Sequence, residues 1–253
     1  MFPEERRRLI LEILNNQGRC RVATLAKELS VSEVTIRMDL DFLEKKGLLR
    51  RTHGGAILNP KTGFERSYQL EEASFRQEKE RIGQRAAELV SDGDTVILDV
   101  GTTVMEVARH LTMYKNLTVV TNAINVVTLL EDYPELTVIV TGGRVRATQH
   151  SLVNPYASLV LEKLYADIAF IGANGVDPHY GVTNVNIPEA EMKIGFINAA
   201  RRRILVADSS KIGNVARAKV GKVSDFHLLI TDRQADPEQV RLIQEAGLPV
   251  ETV

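Results

Sequence analysis

Two groups of residues in this 253-residue chain have types and spacings that could do chemistry. The first is a series of polar runs, each closing an apolar stretch: Asp99-Val100-Gly101-Thr102-Thr103, Thr121-Asn122, Thr141-Gly142-Gly143-Arg144, Gly172-Ala173-Asn174-Gly175 and Asp208-Ser209-Ser210-Lys211. Gly101-Thr102-Thr103 opens a helical pattern, so its free N–H groups and hydroxyls could hold a phosphate. Arg144 and Lys211 could neutralise that anion, and Asp99, Asn122 and Asp208 could hydrogen-bond sugar hydroxyls. The chemistry is noncovalent capture of a phosphorylated sugar or similar polyol. Taken singly, each of these residues is better explained as a turn or cap than as a ligand contact; their recurrence at successive strand ends carries the reading. Neither G-x-G-x-x-G nor G-x-x-x-x-G-K-[ST] is present, which argues against a dinucleotide or nucleoside triphosphate site.

The second group lies in VSEVTIRMDLDFLEKKG, Val31–Gly47. Ser32 is a good helix N-cap and Glu33 suits the positive helix end. Ile36, Leu40 and Leu43 share one face at i, i+4 and i+7 and should pack inward, and Gly47 should stop the helix after Lys45 and Lys46. The opposite face carries Val34, Arg37, Met38 and Asp41. A guanidinium and an exposed methionine there fit a DNA groove better than a core, and the Met38 methyl could touch a thymine methyl.

The elements that must position these residues follow from periodicity. Residues 4–17 read as a helix with Ile10, Ile13 and Leu14 on one face and Arg6, Arg7 and Arg8 near its start. That charge opposes the helix dipole unless a phosphate backbone lies near; a solvated basic turn is the equal alternative. A short helix over 22–29 and a turn at Ser30-Val31 complete a helix-turn-helix. Leu48–Arg51 and Ala56–Leu58 flank His53-Gly54-Gly55 as a hairpin, a wing from which Arg50, Arg51 and His53 could reach phosphate or the minor groove. Asn59-Pro60-Lys61-Thr62-Gly63 reads as a linker, residues 64–75 show no clear period, and a charged helix should run from about Gln77 to Val90. From Asp92 apolar strands at 95–100, 117–121, 136–141, 167–172, 203–207 and 226–231 alternate with helices, which indicates an α/β domain on a mostly parallel sheet. Ligands of such sheets sit beyond the strands' carboxyl ends.

Composition agrees. Net charge is −1, but residues 1–60 carry +3 and the remainder −4, a mild asymmetry that suits a nucleic-acid-binding module joined to something else. No run of eighteen apolar residues occurs, so no membrane span is expected. Glu12 interrupts the first apolar run and no small-residue cleavage site follows, so no signal peptide is expected. The single Cys20 fits a reducing cytoplasm, and the five histidines are scattered, so no metal or cofactor is expected.

Residues 4–58 resemble the DNA-binding domain of the DeoR family of bacterial transcription regulators. The resemblance rests on the early arginines, Ser32-x-x-Thr35-Ile36-Arg37-x-Asp39-Leu40, Leu43-Glu44-x-x-Gly47 and His53-Gly54-Gly55-Ala56. It implies DNA contacts from Arg6, Ser32, Thr35, Arg37, Met38, Arg50, Arg51 and His53. The Asp99…Gly101-Thr102-Thr103, Thr121-Asn122, Gly142-Gly143, Phe170-Ile171-Gly172 and Ala207–Lys211 blocks are similar to that family's sensor domain, whose fold is related to ribose-5-phosphate isomerase and the coenzyme A transferases. The resemblance implies a phosphosugar effector that weakens the grip on DNA, held by Asp99, Gly101, Thr102, Thr103, Thr121, Asn122, Gly142, Gly143, Arg144, Lys193, Asp208 and Lys211. It also places Glu189 beside Lys193 in the pocket lining; four apart, the two would otherwise form an ion pair on an exposed helix face.

The expected organisation is a winged helix-turn-helix domain over 1–58, a linker over 59–75 and an α/β effector-sensing domain over 76–253. The expected function is a cytoplasmic repressor of a carbohydrate-utilisation operon, binding double-stranded operator DNA as a homodimer or homotetramer and released by a sugar phosphate. The competing reading is a sugar-phosphate isomerase-like enzyme with a DNA-binding appendage, which Asp99, Asp208 and Glu189 permit as acid–base groups and the helix-turn-helix weighs against.

Overall fold

Local capping and periodicity set the first elements of the computed structural model, which describes residues 2–17, 19–46, 48–57 and 65–253. In chain order these are α1 (Pro3–Gln17), β1 (Arg19–Arg21), α2 (Val22–Glu28), α3 (Glu33–Lys45), β2 (Arg50–Thr52) and β3 (Gly55–Ile57). They belong to a compact unit, Met1–Phe64. Proline near the start of α1 costs no hydrogen bond, because the first N–H groups lack partners anyway. Ser32 caps α3 as its sequence dictates, its Oγ accepting from the Thr35 N–H at 3.1 Å. Ile36, Leu40 and Leu43 are buried and pack with Ile10, Leu14, Leu25 and Leu29 in one core. β2 and β3 pair antiparallel around His53 and Gly54, forming the expected wing. β1 adds to the other side of β3, giving the order β1-β3-β2. This third strand was not expected: three residues with only Cys20 turned inward are too short to display a two-residue period. Gly47, Leu58 and residues 59–63, to which a helix stop, a strand end and a linker were ascribed, lie outside the described residues.

The second unit, Glu65–Val253, continues with α4 (Tyr68–Ala73), α5 (Arg76–Ala87), β4 (Thr95–Leu98), α6 (Thr102–Leu111), β5 (Thr118–Thr121), α7 (Ile124–Leu130) and β6 (Thr137–Val140). Next come β7 (Arg144–Arg146), β8 (Ser151–Val153), α8 (Ala157–Leu161), β9 (Ala166–Ile171), β10 (Gly175–Asp177), β11 (Gly181–Asn184), α9 (Ile187–Ala199) and β12 (Ala200–Val206). The chain closes with β13 (Ala218–Gly221), β14 (Leu228–Thr231), α10 (Pro237–Glu245) and β15 (Val250–Thr252). Residues 65–75, expected as linker, thus belong to this unit and carry a helix. Six residues of one turn and a half are too few to show a periodic stripe.

Seven strands form one sheet in the order β15-β14-β12-β9-β4-β5-β6, and every neighbouring pair is parallel. Alternation along β4 splits its side chains: Val96 and Leu98 join one core with Ile82, Val104 and Phe170, while Ile97 joins another with Phe196 and Leu205. Helices therefore cover both faces, which is why these strands read as continuous apolar runs. The chain builds outward from β4 through β5 to β6, then returns to the other side of β4 with β9 and proceeds outward again. The order reverses between β4 and β9, and that is where a crevice opens beyond the carboxyl ends of an open parallel sheet.

Candidate functional site

In the first unit, α3 turns Val34, Arg37, Met38 and Asp41 to solvent; Val34 is 63% and Met38 67% exposed. Isolated apolar side chains this exposed need no explanation singly, but here two of them flank a guanidinium on one face. Arg37 donates to Glu33 at 2.6 Å, one turn back along the helix, and both side chains are about half exposed. An exposed i,i+4 pair is worth roughly 0.3–0.5 kcal/mol, so it holds Arg37 in place without withholding it from a stronger anion. Arg50, Thr52 and His53 are exposed on the wing. Arg51 is partly buried: its guanidinium pairs with Asp41, and its N–H donates to the Glu44 carboxylate at 2.7 Å. The wing is thereby tied to α3.

Arg6 corrects the sequence reading. It is buried, its Nε donating to Asp39 Oδ2 at 2.5 Å, and Arg7 donates to Asp39 Oδ1 at 2.7 Å. Arg7 also stacks over the Phe42 ring at 3.8 Å. Asp39 is 1% exposed, so two arginines of α1 neutralise a carboxylate that α3 sends inward. Arg6 positions α3 from behind rather than meeting phosphate.

In the second unit, a narrow cleft open to solvent lies over the ends of β4, β9 and β12. Gly101–Val104, Gly172–Asn174 and Val206–Asp208 line it, with Lys193 from α9, Lys211, and Glu65 and Glu71 from the segment around α4. Gly101 precedes α6 with φ +144° and ψ 155° and no side-chain cap, so the first N–H groups of α6 lack a side-chain cap at the cleft wall. That backbone region is essentially restricted to glycine. Gly101→Ala should therefore cost about 1–3 kcal/mol and tilt the start of α6, and a urea titration followed by tyrosine fluorescence should detect it.

Asp99 is fully buried behind the cleft-lining Lys193. Its Oδ2 pairs with the Lys193 ammonium and accepts from the Gly172 N–H at 3.1 Å, which ties β4 to β9 across the point of reversal. Burial pushes the Asp99 carboxyl above its ordinary value, against the pull of Lys193. Asp99 Oδ1 and Asp208 Oδ2 are buried without hydrogen-bond partners. Asp208 Oδ1 accepts from the Ser210 N–H at 3.1 Å, and the Lys79 ammonium of α5 stands 3.7 Å from Oδ2. Burial lowers the Lys79 pKa against the attraction of Asp208 and Glu71. Lys211 donates to Glu71 at 2.8 Å. Burial would raise the Glu71 carboxyl, but Lys211 and Arg66 hold it below the usual range.

Residues 6–62 match the model of the DeoR-like helix-turn-helix domain, and residues 74–233 match the DeoR C terminal sensor domain. The chain belongs to the DeoR family. It is 33% identical to the HTH-type transcriptional regulator GolR of Listeria innocua, over 99% of this chain and 98% of that one. It is 29% identical to the glycerol-3-phosphate regulon repressor of Escherichia coli, over 99% of both. Among solved structures, ribose 5-phosphate isomerase A from Methanocaldococcus jannaschii aligns at a TM-score of 0.40 and 20% identity, over 55% of each chain. This DeoR-family chain is thus a transcriptional regulator that binds DNA through its helix-turn-helix and senses an effector through its C-terminal domain. Among the described residues no helix is long and apolar enough to cross a membrane.

The cleft gathers Gly101, Thr102, Thr103, Lys193, Asp208 and Lys211 of the expected residues, with Asp99 beneath Lys193. The others lie elsewhere. Thr121 is buried, donating to the Leu98 carbonyl at 2.7 Å and accepting from the Ala123 N–H at 3.0 Å. Asn122 is buried and donates to the Leu152 carbonyl at 3.1 Å. Gly142 and Gly143 follow the edge strand β6, two strands from the reversal, and a Cβ on Gly143 would stand 2.2 Å from the Val153 carbonyl oxygen. Arg144 is exposed; its neighbour in register, Arg146, reaches Glu65 and Glu189 instead. Glu189 and Lys193 are both buried and face separate partners, so the exposed-pair reading of that helix gives way to a cleft-lining one. Glu65, Glu71, Asn184 and Arg146 went unnoticed, because nothing local in their sequence marks them.

Proposed function

We propose that this DeoR-family regulator represses a carbohydrate-utilisation operon and that a phosphorylated sugar or polyol entering the cleft releases it from DNA. What carries this reading is that the uncapped α6 N-terminus lines the same cleft as the Lys193 and Lys211 side chains. A phosphate there would gain backbone N–H donors, the helix dipole and the charge of Lys211, while Lys193 stays matched by Asp99. Asp208, Asn174 and Asn184 would take hydroxyls, as a sugar requires and an inorganic anion does not. The glycerol-3-phosphate regulon repressor of Escherichia coli, by its name, represses the regulon of a phosphorylated polyol, which supports the same class of effector here.

At the other end, Arg37 and Met38 read base edges, Ser32, Thr35 and Arg50 meet backbone, and His53 at the wing tip enters the minor groove. Arg51 braces the wing and contributes charge. Two or four copies, a homodimer or homotetramer, would match half-sites one helical turn apart; the setting is the cytoplasm. Arg37→Ala should weaken operator binding by about 1–3 kcal/mol, or about 5- to 150-fold, in a gel-shift titration. Unchanged affinity would remove Arg37 from the interface. The reading as a whole is tested by thermal shift against a panel of sugar phosphates with and without operator DNA. Stabilisation of the free protein together with loss of the DNA complex is expected; no shift with any sugar phosphate would overturn it.

A further inference from the structure

Lys193 and Lys211 of the cleft lining, and Arg146 beside it, are each already paired with a carboxylate of the same chain. Lys193 is held by Asp99, Lys211 by Glu71 at 2.8 Å, and Arg146 by both Glu189 and Glu65. The carboxylates differ in where they sit. Asp99 ends a central strand and Glu189 lies in the thirteen-residue α9, so both are fixed in the body of the fold. Glu65 and Glu71 belong to the short strap of residues 65–73, and through them it borders the cleft.

That strap is clipped at a few points. The Tyr68 N–H donates to the Thr148 carbonyl at 2.9 Å, and Gln149 Nε2 donates to the Arg66 carbonyl at 2.6 Å. Tyr68 meets His150 edge to face at 5.3 Å. The Lys79 ammonium caps the strap's far end at the Glu71 and Ser74 carbonyls, at 2.5 and 2.6 Å. Just beyond, Phe75 holds a left-handed backbone at φ +53°, a conformation that a bulky residue keeps only while its surroundings enforce it.

We propose that Glu65 and Glu71 are internal stand-ins for the effector's anion, and that an entering phosphate takes Lys211 and Arg146 from them and frees the strap. The inference rests on the cleft being the effector site. An anion cannot use a cation whose charge is already matched unless the resident carboxylate leaves, and only the two strap carboxylates can leave without dismantling the sheet or α9. The strap follows directly on Phe64, the last residue of the DNA-binding unit. Its nine residues, once released, add up to about 30 Å of extended reach to the tether, comparable to the roughly 34 Å between half-sites that a bound pair must keep in register. Effector capture is thereby coupled to a looser hold on paired half-sites.

The test uses the full chain with inorganic phosphate and ribose 5-phosphate as probes, read by calorimetry and by hydrogen exchange of residues 65–75. In the unmodified protein either probe should speed exchange in the strap while slowing it at the start of α6. The double variant E65Q/E71Q should bind the same probe about tenfold more tightly, and K211M should bind it more weakly. If the probe binds and K211M weakens it, yet strap exchange is unchanged and E65Q/E71Q binds no more tightly, the strap mechanism is overturned while the cleft stands as an anion site. If no probe binds either the unmodified chain or E65Q/E71Q, the anion site and the strap mechanism fall together.

Discussion

Asp39→Ala should unfold the DNA-binding unit and leave the sensor unit folded. Asp39 is buried between Arg6 and Arg7, and removing it takes the shared carboxylate from two guanidinium groups, one of them also buried. Breaking a buried ion pair from one side costs about 3–5 kcal/mol. A domain of this size with a single small core rarely holds more than about 3–5 kcal/mol in total, so the loss consumes most or all of it. Hydrogen exchange resolved by peptide reads the result: protection in α1 and α3 should vanish while β4, β9 and β12 stay protected, and operator binding should be lost. Protection of α3 at the unmodified level would show that Arg6 and Arg7 find other partners and that the buried pair is dispensable. Asp39→Asn, which keeps shape and part of the hydrogen bonding, should be milder.

Lys193→Met should have a comparable effect in the sensor unit. Volume is nearly conserved, so the cost is electrostatic: Asp99 keeps the Gly172 N–H but loses its cation. The expected deficit near neutral pH is again about 3–5 kcal/mol. Its pH dependence has a definite sign. Burial already raises the Asp99 carboxyl in the folded chain, with Lys193 opposing the rise; without Lys193 it rises further above its unfolded value. A carboxyl raised on folding contributes stability below the unfolded value and loses it as pH climbs through the folded one. The Lys193→Met deficit should therefore shrink as pH falls, in urea titrations at a series of pH values, and the double variant D99L/K193M should recover much of the loss at neutral pH. A deficit that does not vary with pH would mean that Asp99 is not the group left uncompensated.

What could be read from the sequence was what chain neighbours decide. Ser32, Ile36, Leu40 and Leu43 announce α3 because a cap and a 3.6-residue period are local, and Gly101-Thr102-Thr103 announces a helix start for the same reason. Partners distant in sequence stayed hidden. The pairing of Arg6 with Asp39 joins residues thirty-three apart and inverted the reading of Arg6 from a phosphate contact to an internal brace. Arg144 and Arg146 share one face of β7 by alternation, but only Arg146 stands opposite Ser151, whose hydroxyl donates to Glu189 at 2.7 Å; the choice between them depends on strand register. Thr121, Asn122, Gly142 and Gly143 end strands as expected, but the sheet order places them on the β5–β6 side of the reversal, where their polar groups satisfy backbone. The strap was unreadable because an isolated six-residue helix carries no period and its glutamates matter only through Lys211 and Arg146.

On the proposed reading of α3 as the helix that faces DNA, the helix brings its own counterions. Arg37 rests on Glu33 and Arg51 on Asp41, so each guanidinium that moves to a base edge or a phosphate leaves a carboxylate behind near the groove. Such an arginine displaces less than one full cation from the DNA's ion atmosphere. The dependence of operator affinity on salt should thus be shallower than a count of arginine–phosphate contacts implies, and the carboxylates penalise loose, sequence-indifferent docking in which the arginines do not reach far enough to shed them.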